Sequence, residues 1–136
     1  MIDFTNVMLM FQQMSGLGDE EINGEMNLIQ NAVWEIENVL CEEKLVPSDY
    51  PRCEYAAACT AFYDYICKRA AQEKIITTAE GRAVSSEDYS KKISSALKFK
   101  ITALSRLGGI IKDTEFIFSS MESIGSAEKA GETFGV

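Results

Sequence analysis

Cys41, Cys53, Cys59 and Cys67 are the residues of this chain best suited to chemistry, as thiolate nucleophiles, metal ligands or redox partners. Their spacing argues against all three roles. The gaps between them hold 11, 5 and 7 residues, and no Cys-x-x-Cys occurs, so neither a zinc half-site nor a redox dithiol is spelled out. The sequence has no histidine, which removes the usual second zinc ligand and the usual general base near neutral pH. The pattern implies four reduced thiols, two or three of them used as small apolar core residues.

The remaining chemistry-bearing types fare no better. Glu35 and Glu37, or Glu42 and Glu43, are near neighbours along one helix and cannot face each other across a cleft as a general acid and base must. Gly16-x-Gly18 follows a helical pattern instead of a strand and lacks a third glycine, so it does not describe a phosphate cradle. Ser90 and Lys91 are adjacent on a helix, a geometry that leaves the serine without a base. The reading is therefore of a protein that is not an enzyme and uses no metal and no cofactor.

Charge is more informative. Net charge is −8, but residues 1–67 hold 12 acids and 2 bases, residues 68–112 hold 4 acids and 10 bases, and residues 113–136 hold 5 acids and 1 base. A chain polarised in this way suits a nucleic-acid face on its basic stretch, or pairing between the acidic part of one subunit and the basic part of the next, or merely solvated helix faces. The overall acidity, with a pI near 4.6, weighs against sequence-specific nucleic-acid binding. No apolar run approaches a membrane span, and Asp3 stands where a secretory signal would carry a base. A location inside the cell and no membrane partner are the expectation.

The elements that must carry these groups are helical. Asp3 or Thr5 caps a short helix over 3–14 with Phe4, Val7, Met8 and Phe11 on one face, and Ser15-Gly16-Leu17-Gly18 stops it. A second helix, about 20–42, sets Ile22, Met26, Ile29, Val33, Ile36 and Leu40 at spacings of four and three, with Trp34 and Val39 widening the stripe and Gly24 a point of early kinking. After Pro47, Ser48 or Asp49 caps a third helix, about 50–74, with a core line of Tyr55, Cys59, Phe62, Ile66 and Ala70, thinned by Ala56, Ala57, Ala58 and Ala61. Tyr63 and Tyr65 lie off that line, either as plain edges of the core or where their hydroxyls reach water or a partner chain.

Residues 75–85 change character, with β-branched residues flanking Ala79-Glu80-Gly81, and read as a short β-hairpin or extended loop. A fourth helix, about 87–107, turns Tyr89, Ile93, Leu97, Ile101 and Leu104 inward and spreads Lys91, Lys92, Lys98, Lys100 and Arg106 outside. The fold class is thus all-α, a compact bundle of about four helices forming one domain over 1–118. Ile110, Ile111, Phe116, Ile117 and Phe118 make an apolar run that a monomer would not leave in water, and 119–136 read as a flexible tail.

This layout resembles the head-tail connector, or adaptor, proteins of long-tailed bacteriophages and prophages. The likeness covers most of residues 3–118 and is carried by the short Gly-ended helix, by Asp19-Glu20-Glu21-Ile22 through Ala32-Val33-Trp34-Glu35-Ile36-Glu37, by Tyr55-Ala56-Ala57-Ala58-Cys59-Thr60-Ala61-Phe62-Tyr63, and by the Ser-started helix running into Leu107-Gly108-Gly109-Ile110-Ile111 and on to Phe116-Ile117-Phe118. It implies a DNA-packaging structural protein of the virion neck that forms a ring under the portal, extends the DNA channel and offers a platform to the next neck or tail protein. DNA would be met only as a non-specific channel contact, and the protein would pass from the host cytoplasm to the head-tail junction. A ring needs one face of each subunit to meet a different face of the next. Lys91, Lys98 and Lys100 against Glu21, Glu25 and Glu35 are the candidate pair of faces, and Phe116, Ile117 and Phe118 the candidate portal-docking residues. A small bacterial scaffolding or regulatory helical module is the alternative.

Overall fold

The computed structural model describes residues 2–80 and 86–111, with backbone alone for 73–80 and 86–88. Within them lie five α-helices: α1 (Phe4–Ser15), α2 (Asp19–Asn23), α3 (Met26–Val39), α4 (Tyr50–Glu80) and α5 (Ser86–Ser105). Among the described residues no strand occurs, and the one extended pairing is an isolated antiparallel bridge between Leu40 and Ile111. The all-α helical bundle anticipated from periodicity is what forms.

Local chemistry sets the boundaries. The Asp3 carboxylate accepts from the Thr5 N–H at 2.9 Å and so satisfies one of the orphan donors that begin α1. Gly16 ends that helix in the left-handed region, at φ 72°, while its N–H donates to the Gln12 carbonyl at 2.8 Å. Val46 is extended, φ −118° and ψ 157°, as the ring of Pro47 demands. Two 3-10 turns, Glu42–Lys44 and Pro47–Asp49, then lead into α4.

The long second helix is not continuous. Gly24 and Glu25 interrupt it, their N–H groups donating to Glu21 and Ile22 at 3.1 and 2.9 Å in a tightened turn. The helix also ends at Val39 instead of 42, because Leu40 turns extended to bridge Ile111 and the Cys41 N–H donates to the Ile110 carbonyl at 2.7 Å.

The third helix is longer than its pattern. α4 runs on through Glu80, whereas the residue types predict a hairpin or loop from residue 75; Gly81–Ser85 lie outside the described residues. Ile75, Ile76, Thr77 and Thr78 favour strands, but the cost of each in a helix is only a few tenths of a kcal/mol. Adding one hydrogen bond per residue to an existing helix is easier than nucleating a new element. The tail after 118 and Phe116–Phe118 also lie outside the described residues.

α4 is the axis of the bundle, packed by α1, α3 and α5. Ala56, Ala57, Ala58, Cys59, Thr60 and Ala61 are all buried, and since successive residues turn by roughly 100°, six in a row means neighbours on every side. That corrects the single core line read from sequence: Cys59 belongs to it, but Tyr55 is exposed and Phe62 half-buried. Trp34, expected to widen the apolar stripe, points away from it instead. The alanines let three helices approach closely, and Val7, Phe11, Ile29, Ile36, Leu40, Leu104 and Leu107 fill the space between.

Polar ties fix how the helices run. The buried Glu54 carboxylate, in the first turns of α4, accepts from the Asp3 N–H at 3.1 Å and the Asn6 amide at 3.2 Å, holding the start of α1. Arg52 donates to the Arg106 carbonyl at 3.1 Å just past the end of α5. Lys68, further along α4, holds Glu25 before the start of α3 at 2.9 Å. α1 and α4 therefore run the same way, with α3 and α5 antiparallel to them.

Candidate interaction surface

Two of the four thiols are placed as core residues. Cys53 and Cys59 are buried, Cys41 and Cys67 half-buried, and all four are unbridged. Burial pushes the Cys53 thiol up to about 11, with Asp49 adding to the effect, and burial likewise raises Cys59. Neither supplies a thiolate at neutral pH. Among the described residues no three metal-ligating side chains converge, no buried side-chain polar atom is left without a partner, and no helix is long and apolar enough to cross a membrane.

The six candidate interface charges divide in two. Lys91, Lys98 and Glu21 are exposed. The other three are engaged within one chain, which corrects the picture of a wholly free cationic face meeting a wholly free acidic one. Lys100 of α5 keeps only 14% of its side chain exposed, lies 5.2 Å from the centre of the Tyr63 ring and reaches Glu35 of α3 at 4.0 Å. Glu25 is held by Lys68. The reason is topological: α3 and α5 both run back along α4, which brings Lys68 and Lys100 of the basic stretch alongside acids of the first half, so part of the charge separation seen in the sequence is neutralised by folding.

Around Lys100 a small electrostatic seam has formed between α3, α4 and α5. Burial raises the Asp64 carboxyl above its ordinary value of 3.8; Lys100 opposes the shift and Glu35 adds to it. Burial also raises Tyr63, helped by a hydrogen bond with Cys67. At the other end, the Val46 N–H, donating at 3.1 Å, and the Arg52 guanidinium hold the Asp49 carboxyl below its usual value.

Among the described residues two concavities line the bundle, both unannounced by the sequence because each joins residues from distant segments. One, of about 310 Å³, lies between the start of α4 and the end of α5 and is lined by Pro51, Arg52, Tyr55, Ala103 and Arg106. The other, of about 400 Å³, lies between the end of α1, the middle of α4 and the first half of α5. Met14, Phe62, Tyr65, Ile66 and Phe99 make its apolar lining, and Lys91 and Lys92 stand at its rim with Ser15 and Ser95. The Tyr65 ring meets Phe11 edge-on at 5.6 Å, so of the two roles open to it this tyrosine takes that of a core edge and braces the groove wall.

Phe99 is 56% exposed, as is Trp34 on the opposite side of α3 from the core. An exposed aromatic in an apolar groove with charged rims is an ingredient of a protein-binding surface. No family model matches the chain, and no curated protein and no solved structure matches it.

Proposed function

We propose that this chain is a structural adaptor subunit of a phage head-tail junction. Copies of it form a ring between portal and tail, extend the DNA channel and provide a docking platform for the next neck or tail protein. The observation that carries the reading is the pair of oppositely charged exposed faces on different elements of one helical body: Glu20 and Glu21 on α2, Lys91, Lys92 and Lys98 on α5. Unlike faces on one subunit favour head-to-tail association, which forms a ring when the rotation between subunits closes. The order of elements, from the Gly16-ended first helix to Leu107-Gly108-Gly109, adds the resemblance to connector proteins. In this reading Phe116, Ile117 and Phe118 dock on the portal, and DNA is met only without sequence preference.

The test is electron microscopy of the purified full chain at rising concentration, together with co-elution with a portal protein encoded in the same gene cluster. Rings that co-elute with portal support the reading. A strict monomer that ignores portal sinks it, and a closed dimer that ignores portal favours a bacterial scaffolding or regulatory module.

A further inference from the structure

We propose that the self-association surface is a socket and plug: Trp34 on the outer face of α3 of one copy seats in the Phe62–Tyr65–Ile66–Phe99 groove of the next. This rests on the self-assembly half of the adaptor reading and deepens it by naming the contact.

The plug is read from helix geometry. At roughly 100° per residue, Trp34 lies opposite the buried Ile29, Ala32, Val33 and Ile36, so it cannot turn into the bundle that holds its own groove. The exposed Asn27, Asn31 and Asn38 share its face, Glu37 stands on one shoulder, and Glu35, which Lys100 reaches, on the other. α3 contains no lysine or arginine. Its outer face is a large aromatic in a neutral to acidic frame.

The socket is the converse. Its floor is apolar, it contains the exposed Phe99, its rim carries Lys91 and Lys92, and no acid is among the described residues that line it. An indole offers the area and the flat faces that a groove walled by Tyr65 and Phe99 accommodates, and buried tryptophans at the centre of an interface carry a large share of its affinity.

Charge decides which partner. Two α3 faces brought together would oppose acid to acid, and two grooves would oppose lysine to lysine, so each surface rejects its own kind. Each is complementary to the other, and both are present on every copy. A second copy of this chain, docked head to tail, satisfies both at once and leaves a free plug and a free socket for the next subunit.

Trp34 is the sole tryptophan, so its fluorescence reports the contact directly on the full chain. As concentration rises from the micromolar to the millimolar range, the emission should move to shorter wavelength and acrylamide quenching should fall severalfold, in step with mass measured by light scattering. Phe99→Glu places an acid in the socket and should hold both mass and emission at the dilute values. Trp34→Ala should be monomeric by mass. Both positions are exposed, and circular dichroism checks that each variant folds.

Mixing the two variants then gives pairs and nothing larger, since one retains a working socket and the other a working plug, and the emission of the Phe99→Glu tryptophan shifts back to the blue. Wild-type assembly with unchanged tryptophan emission, or assembly that survives Trp34→Ala, overturns this contact while leaving self-assembly intact. A wild-type chain that stays monomeric throughout overturns both.

Discussion

Asp64 shows how a single residue can carry a cost that folding tolerates. Its carboxyl is pushed up chiefly by burial, so the folded chain holds a proton there at a pH where the unfolded chain has released it. Stability contributed at this site is therefore full at low pH and is lost as pH rises from about 4 through the raised folded value. Asp64→Asn should raise Tm at pH 7 and flatten this part of the stability-versus-pH curve, as thermal melts at a series of pH values will show. Asp49 has the opposite sign, since its partners depress it: its contribution is present above about pH 4 and disappears as acid protonates the folded carboxyl. Thiol accessibility gives a second check at this scale. At pH 8 an aromatic disulfide reagent should label Cys41 and Cys67 before Cys53 and Cys59, with all four reacting once denaturant is added. Phe11→Ala, at a fully buried ring, should cost about 3–5 kcal/mol in chemical denaturation.

The elements were largely written in apolar spacing and punctuation. Asp3, Gly16, Pro47 and the runs Ile29–Val33–Ile36 and Ile101–Leu104 marked helices that the structure contains. Two features escaped because they depend on neighbours distant in sequence. α3 ends early to let Leu40 reach Ile111, and the middle of α4, residues 56–61, is enclosed on all sides and so shows no one-faced pattern; a third, the length of α4, was missed because its last turns extend a helix already formed. Two glycines provide a contrast at this scale. Gly24 has an ordinary helical backbone, φ −72° and ψ −14°, and an added Cβ would meet only the Glu21 carbonyl at 3.4 Å. Gly24→Ala should therefore stabilise by about 0.4–1 kcal/mol through the unfolded chain. Gly16 sits at φ 72°, where a side chain costs about 1–2 kcal/mol, so Gly16→Ala should destabilise although it has open space around it. Urea titration of the two variants gives both signs.

At the scale of the molecule, the sequence displayed its charge polarity but not how far folding cancels it. The candidate surface was half legible for the same reason: Lys91, Lys98 and Glu21 stayed outside, whereas Lys100, Glu35 and Glu25 found partners in their own chain. Phe99 and Met14 gained meaning only when α5 folded back beside the end of α1. Reversing Lys91 and Lys98 to Glu should leave Tm nearly unchanged and weaken self-association in sedimentation. Lys100→Glu should instead lower Tm, because it sets a third acidic group beside Glu35 and Asp64.

Asp3 tied to Glu54, Arg52 to Arg106 and Ile111 to Leu40 put both ends of the described chain at one pole of the bundle. Tension applied between residues 2 and 111 thus enters α1 and α5 from the same end. It loads their contacts with α4 turn by turn instead of all together, so under mechanical pulling the bundle should unzip at low force from that pole, while the far end, with its groove, is the last to lose its shape.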